Sequence, residues 1–213
     1  MNEFWAKEII TARLKLKEGK LSEGISILKK LLDHSNLECV KESKKLLVKT
    51  LLQFDDKKEM AKSYLEELYQ DDRSIQTAVE LMTLASQIGN LNEVKKYYED
   101  CHELLKSNKA YTRTLINYLY FSALVHSKAP FNEAFLLIET LIDDFKKSAS
   151  LDHHFLVTRN LPPFYEFMKK IETLYLGHKK ESELIDFLKD QLSWVGKPGK
   201  DIITEILATL KVD

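Results

Sequence analysis

Three residue types are scarce in this sequence, and each shortage argues against a class of protein. Only two cysteines, Cys39 and Cys101, are present, too few for a disulfide framework. Six glycines and four prolines cannot supply the many tight turns of a β-sandwich or β-barrel. We therefore expect free thiols, a reducing cytoplasm as the compartment, and a fold with few turns.

Strong charge of one sign and long apolar runs are also missing. The net charge is −1, and the arginines are Arg13, Arg73, Arg113 and Arg159, which argues against nucleic acid as a partner. No stretch approaches about 18 uncharged apolar residues, so we expect no membrane span. Glu3, Lys7 and Glu8 interrupt the apolar residues at the start of the chain, so we expect no signal peptide.

Helical periodicity runs along nearly the whole sequence. Hydrophobic residues make up 44% and charged residues 31%, a balance typical of a globular protein with a well-solvated surface. Apolar residues recur every third or fourth position, as Leu81, Leu84 and Ile88 do, so each segment has one apolar stripe. The pattern predicts helices at about 3–18, 21–33, 38–54, 57–69, 75–88, 91–106, 109–127, 131–145, 164–176, 181–194 and 200–211.

Turn-forming residues separate these helices. Ser22 and Asn132 are the predicted N-caps, because their side chains can accept hydrogen bonds from free backbone amides. The rhythm weakens over 146–163, where we expect a connector with one helical turn at about 151–157. The predicted breaks are Gly19, Asp55-Asp56, Gly89-Asn90, Ala129-Pro130, Gly177 and Gly196-Lys197-Pro198-Gly199.

A small residue near the start of every second helix indicates an internal repeat. The residues that superpose are Gly24, Ala61, Val94, Ala134 and Ser182, at intervals of roughly 33 to 48 residues. Small residues suit places where helices approach closely, with large apolar residues beside them. Leu52 and Met60 are predicted to be among the buried large residues of the second pair.

These positions resemble the tetratricopeptide-repeat family. Its pattern has a small residue in the first helix, a glycine turn, an apolar residue, a small residue in the second helix and two large apolar positions. The matching copies are Ala12, Gly19, Leu21, Gly24, Leu28 and Leu31; then Leu81, Ala85, Gly89, Leu91, Val94, Tyr98 and Cys101; then Phe121, Ser122, Val125, Phe131, Ala134, Ile138 and Leu141. A further copy, through Leu47, Val48, Leu51, Ala61, Leu65 and Leu68, has no glycine, and the family's proline after the second helix is missing throughout. HEAT and armadillo repeats also fit the spacing.

The resemblance implies an all-α fold, a right-handed α-solenoid of about five antiparallel helix pairs with a C-terminal capping helix. It implies one domain over 1–213, with the better-matched repeats at 3–145 and a divergent repeat and the capping helix at 146–213.

In such a superhelix the first helix of each pair lines a concave groove in which partner peptides lie. By that resemblance the peptide-binding residues are Arg13, Lys17, Lys45, Lys49, Gln53, Thr83, Ser86, Leu119 and His126. The basic residues among them suit an acidic or carboxylate-ended segment. The family's two-carboxylate clamp also uses asparagines that are absent here, so chaperone tails are not expected. Two alternatives stay open: the basic residues are ordinary solvated surface, or Tyr111, Tyr118 and Tyr120 form the recognition patch.

No motif in the sequence has the spacing of a catalytic or metal site. The pair His153-His154 sits in the predicted connector and brings no third ligand with it. We expect no cofactor, no metal and no enzymatic activity. The sequence therefore favours a non-catalytic scaffold that binds a partner protein or peptide. A regulatory sensor for a small peptide or metabolite and an all-helical enzyme are the alternatives.

Overall fold

The computed structural model describes residues 3–107 and 111–210 of the chain. Within those ranges the chain forms twelve α-helices and no β-strand, which confirms the all-α prediction. The helices are α1 Glu3–Lys17, α2 Leu21–Leu31, α3 Leu37–Leu51, α4 Lys58–Asp71, α5 Ile75–Ile88, α6 Leu91–Leu104, α7 Arg113–His126, α8 Phe131–Lys146, α9 His153–Thr158, α10 Phe164–Gly177, α11 Glu181–Gln191 and α12 Lys197–Leu210. The predicted helix positions 109, 110 and 211 lie outside the described residues.

The helices divide into two compact units. Unit 1 is Met1–Leu84 and unit 2 is Ala85–Asp213, so the boundary falls inside α5. In the part of the chain that is described, no helix combines the length and the apolar character needed to cross a bilayer.

Unit 1 is held together where small residues let helices approach closely. In this unit α1 packs against α2 and α3, and α3 packs against α2 and α4. A Cβ atom on Gly24 of α2 would lie 2.7 Å from Leu16 Cδ2 and 3.2 Å from the Ala12 carbonyl oxygen of α1. Ala61 of α4 is likewise fully buried. The predicted alternation of small and large residues therefore packs this unit.

Unit 2 has a core of aromatic rings around α10. That helix contacts α7, α8, α11 and α12, and it contributes Phe164 and Phe167. The Phe167 ring centroid lies 5.1 Å from that of Phe145 and 5.7 Å from that of Phe121. Ile203 and Ile206 of α12 are fully buried, so α12 covers apolar surface that α10 and α11 leave exposed.

One turn geometry recurs at the ends of α1, α5, α7, α9 and α10. In each case a residue with positive φ follows the helix: Gly19, Gly89, Lys128, Asn160 and Lys179, with φ between 53° and 84°. The next amide then donates to a carbonyl five residues back, as Lys20 N does to Lys15 O at 2.9 Å and Asn90 N to Ala85 O at 2.9 Å. This is the Schellman arrangement, which satisfies carbonyls that the helix end leaves free. The same turn thus forms whether or not glycine is present.

Several local predictions are wrong. Ser22 and Asn132 lie inside α2 and α8, whose N-cap positions, Lys20 and Pro130, accept no side-chain hydrogen bond. Among the described residues, the side chains that accept a hydrogen bond from a first-turn amide of a helix are those of Asn36, Ser74, Asn90, Thr112 and Asp152. The predicted connector does contain one short helix, α9.

The predicted break at 196–199 is displaced, whereas the predicted stop at Gly177 is confirmed. The run Gly196-Lys197-Pro198-Gly199 does not interrupt helix α12, which begins at Lys197. Proline is tolerated there because the first-turn amides of a helix have no intrahelical partner to lose. Gly177 is the last residue of α10, and Lys179, two residues later, adopts the left-handed conformation of the turn.

Three predicted packing positions are exposed instead. Leu52 is 39% exposed and Met60 is 41% exposed, so neither belongs to the core. Ser182 is exposed in the first turn of α11, so the fifth copy does not share the buried small residue of the other four. Gly24, Ala61, Val94 and Ala134 are all buried as predicted.

Candidate functional site

Four of the predicted binding residues surround one cavity between α1 and α3 of unit 1. The α1–α3 cavity has a volume of about 470 Å³ and is lined by Arg13, Leu16, Lys17, Leu46, Lys49, Thr50 and Gln53. Arg13 and Lys17 are four residues apart on α1, which places both side chains on one face of that helix. No carboxylate lines this cavity.

A second cavity lies on the other side of α3, where α4 and α5 complete its walls. The α3–α5 cavity has a volume of about 520 Å³. Its α3 wall carries Lys41, Lys45 and Lys49, and each of these lysines lies about one helical turn from the next. Its remaining lining residues are Val48, Leu52, Leu65, Leu68, Asp72, Ser74, Gln76, Thr77 and Glu80. Lys49 lines both cavities.

The capping of α3 fixes where these lysines lie. Asn36 Oδ1 accepts hydrogen bonds from the amides of Glu38 at 2.9 Å and Cys39 at 3.1 Å, so the helix begins at Leu37. Leu47 and Leu51 then face the interior of unit 1, where both are fully buried. The opposite face, with Lys45 and Lys49, is left to solvent.

Ion pairs neutralise part of the basic lining. Glu42 accepts from Lys45 Nζ at 2.8 Å and lies 3.5 Å from Arg13 Nη2, and Lys41 Nζ lies 3.3 Å from Asp72 Oδ2. The hydrogen bond to Glu42 raises the pKa of Lys45 above its ordinary value, and partial burial opposes that rise. Among the described residues, no carboxylate lies within 4 Å of the Lys49 ammonium group. Positive charge without a carboxylate partner is therefore concentrated where the two cavities meet.

The floor of the α3–α5 cavity is apolar. Val48, Leu65 and Leu68 are at most 6% exposed and close the cavity from below. Leu52, the exposed leucine of this set, lies at its edge. The α3–α5 cavity can therefore hold an apolar group against this floor, next to the Lys49 ammonium group that it shares with the α1–α3 cavity.

The other predicted residues are not brought to these cavities. Thr83 is exposed on α5 and donates its hydroxyl to Val79 O at 2.9 Å, within its own helix. Ser86 is 4% exposed and donates to Ala123 O of α7 at 3.0 Å, so its hydroxyl is used inside unit 2. Leu119 packs against the core of unit 2, and His126 is exposed at the last residue of α7.

Two of the three tyrosines predicted to form a recognition patch make packing contacts within unit 2. Tyr118 is 7% exposed and meets Phe167 edge to face, with ring centroids 6.5 Å apart. Tyr120 stacks on Tyr98 of α6. Burial is the main cause that raises the pKa of both hydroxyl groups. Tyr111 is half-buried before α7.

Sequence reasoning identified Lys45 and Lys49 among the twelve lining residues of the α3–α5 cavity and missed the other ten. Lys41 could have been found, because it precedes Lys45 by one turn on the face already chosen. The apolar floor residues Val48, Leu52, Leu65 and Leu68 had no such signal. Their periodicity indicates a core face, and only the packing of α3, α4 and α5 leaves space above them.

The thiols of Cys39 in unit 1 and Cys101 in unit 2 are both buried. Burial raises the pKa of Cys39 and raises that of Cys101 to about 12. Over the described ranges no group of three or more histidine, cysteine, aspartate and glutamate side chains is placed to hold a metal ion.

No protein-family model, curated protein or solved structure matches this chain.

Proposed function

We propose that this chain is a non-catalytic scaffold that binds a partner protein or peptide through the basic face of unit 1. The observation that carries the proposal is the meeting of the two cavities at Lys49, with Arg13, Lys17 and Lys45 beside it. Ammonium, guanidinium, amide and aliphatic groups suit charge pairing and apolar contact with a polypeptide. An acidic segment is the partner chemistry that this face would attract.

We further propose that the architecture is a divergent, right-handed tetratricopeptide-like solenoid. Two features support a repeat. The first helices α1, α5, α7 and α10 end in the same Schellman turn, and each leads directly into the helix that follows. The second helices α2, α4, α6 and α8 each bury one small residue near their start, namely Gly24, Ala61, Val94 and Ala134.

The test begins with affinity capture on the full chain, identification of the captured proteins by mass spectrometry, and purification of the strongest candidate. Direct binding is then measured to the wild type and to the double variant Lys45→Glu/Lys49→Glu. Because both charges reverse on the proposed face, we expect affinity to fall at least about tenfold, and more steeply at low salt.

A matched control is Lys29→Glu/Lys30→Glu. These lysines are exposed in the last turn of α2 in the same unit, so the net charge changes equally. Equal losses from both double variants would point to a general charge effect. An unchanged affinity for Lys45→Glu/Lys49→Glu would overturn the proposed surface.

A second candidate function is a sensor that holds a small peptide or metabolite in the α3–α5 cavity. Its volume of about 520 Å³ favours this candidate, because small-molecule pockets commonly measure roughly 300–1,000 Å³. A ligand that binds only the folded state raises the thermal midpoint by mass action. A screen of anionic metabolites would therefore find a concentration-dependent rise in the midpoint for the wild type and a smaller rise for Lys45→Glu/Lys49→Glu.

A further inference from the structure

The two cavities flank one helix, and their linings differ in chemistry. The α3–α5 cavity has an apolar floor of Val48, Leu65 and Leu68 with Leu52 at its edge. The α1–α3 cavity is lined by Arg13, Lys17, Lys49 and Gln53, and no carboxylate lines it. A single ligand that fills both must therefore carry an apolar group and an anionic group.

The separation of the cavities sets the distance between those two groups. The cavities lie on opposite flanks of α3, and an α-helix with its side chains is about 10 Å across. A chain in the polyproline II conformation covers about 3.1 Å per residue and has three residues per turn, so side chains three positions apart point to the same side. About three residues of such a chain therefore cross α3 from one cavity to the other, with both side chains directed at the protein.

The charges decide which cavity holds the anionic group of the ligand. The lining of the α3–α5 cavity includes two carboxylates, Asp72, which pairs with Lys41, and Glu80 on the α5 wall. Glu42 pairs with both Lys45 and Arg13 and lines neither cavity. An added carboxylate in the α3–α5 cavity would face Asp72 and Glu80. In the α1–α3 cavity it would face Lys17 and Lys49, neither of which has a carboxylate within 4 Å among the described residues. The anionic group therefore belongs in the α1–α3 cavity and the apolar group in the α3–α5 cavity.

We propose that the partner segment is an internal stretch in the polyproline II conformation, with a large apolar residue about three positions away from an aspartate or glutamate. The apolar side chain lies over Leu52 and the floor of the α3–α5 cavity, and the carboxylate pairs with Lys49 and Lys17. This inference rests on the proposed binding function of the basic face. It adds the spacing between the apolar residue and the acidic residue of the partner segment, and it does not require a free chain end.

The test is a selection of random 12-residue peptides, fixed at both ends in a display scaffold, on the immobilised full chain. Enriched peptides are then synthesised with both ends blocked, and their affinities are measured by fluorescence anisotropy. We expect enrichment of a large apolar residue about three positions from an acidic residue. We also expect Lys49→Glu to weaken binding at least about tenfold.

Lys30→Glu is the matched control for the charge. Lys30 and Lys49 each lie in the last turn of a helix of unit 1, both are exposed, and the substitution changes the net charge identically. Leu52→Ala tests the apolar anchor against Leu37→Ala, a leucine of the same helix that is 84% exposed and lines neither cavity. Thermal midpoints of all four variants verify that each one folds.

Four outcomes separate the inference from the proposed function. Peptides with the expected spacing that lose affinity through Lys49→Glu and Leu52→Ala, and not through the controls, support both. Peptides that bind the basic face without the spacing overturn the inference and leave the proposed function standing. A selection that enriches no saturable binder, although captured proteins bind, overturns the inference. If captured proteins do not bind either, the proposed function falls with it.

Discussion

Tyr98 of α6 stacks face to face on Tyr120 of α7, with ring centroids 3.9 Å apart and ring planes 13° apart. The Tyr98 hydroxyl donates to Asn117 Oδ1 at 3.0 Å, and His102 Nε2 lies 3.2 Å from the same oxygen. Asn117 is 3% exposed, so this amide joins two half-buried polar groups of α6 to α7 where water has little access. Helix packing in unit 2 thus includes a polar contact that apolar periodicity does not reveal.

Asn117→Ala should lower the free energy of unfolding by about 1–3 kcal/mol, because it leaves the Tyr98 hydroxyl and His102 without their acceptor. Urea denaturation of the full chain measures the loss. Asn132→Ala is the control, since Asn132 is exposed in the first turn of α8. That substitution should change stability by less than about 0.5 kcal/mol. Equal midpoints for the two variants would contradict a structural role for Asn117.

His102 should make stability depend on pH in the mildly acidic range. Burial is the main cause that lowers its pKa below the ordinary value of 6.5, with Arg113 acting in the same direction and the Asn117 hydrogen bond opposing it. The unfolded chain therefore binds a proton at a higher pH than the folded one does. The contribution of His102 is fully present above pH 6.5 and is lost as the pH falls through its folded pKa.

The measurement is the free energy of unfolding at about pH 7.5 and about pH 5.5, above the range where most carboxylates titrate. His102→Gln should reduce the loss of stability between the two values. His154→Gln, an exposed histidine of α9 in the same unit, should leave that loss as it is in the wild type. A wild-type stability that rises on acidification would refute the assigned direction.

Replacing the lysines in left-handed turns with glycine should raise the stability of the protein. Lys128 and Lys179 have φ values of 54° and 57°, in a region that side chains with a Cβ atom disfavour. Lys128→Gly and Lys179→Gly should each raise the free energy of unfolding by about 0.5–1 kcal/mol, the relief of strain exceeding the added freedom of the unfolded chain. Lys170→Gly, inside α10, should instead lower it by about 1 kcal/mol. Denaturant midpoints of the three variants provide the comparison.

Gly24 should not tolerate even one added methyl group. A Cβ there would lie 2.7 Å from Leu16 Cδ2, so Gly24→Ala should cost about 1–3 kcal/mol through overpacking between α1 and α2. Gly177 also lies in a helix, but a Cβ there meets nothing within 4 Å. Gly177→Ala should therefore be neutral or stabilise by up to about 1 kcal/mol. A thermal denaturation series in which both variants behave alike would contradict the close approach at Gly24.

Much of the local structure of this protein could be predicted from residue patterns. The spacing of apolar residues places eleven of the helices within a few positions of their observed ends, and the sequence predicts the twelfth as a helical turn. Gly19 and Gly89 identify two of the left-handed turns, because glycine adopts positive φ without steric cost. The turns at Lys128 and Lys179 had no such signal. There the surrounding packing imposes a backbone conformation that the residue itself disfavours.

The site was less predictable than the helices. The face of α3 that carries Lys45 and Lys49 follows from helical periodicity, and the structure places both beside a cavity. The same periodicity predicts Ser86 in a groove, yet its side chain is buried and its hydroxyl donates to Ala123 O of α7. The apolar stripe of α3 predicts Leu52 in the core, yet it borders the α3–α5 cavity. Periodicity identifies the face of a helix but not whether a neighbouring helix covers it.

The sequence by itself therefore determined the helices, the four buried small residues and the basic side of α1 and α3, since each depends on residues within a few turns of one another. Only the tertiary structure decided that Lys49 lies between two cavities and that an apolar floor lies beside it. The physical reason is that a cavity is space left over when three helices pack. Its size and lining depend on side chains far apart in the chain, whose distances no local pattern encodes.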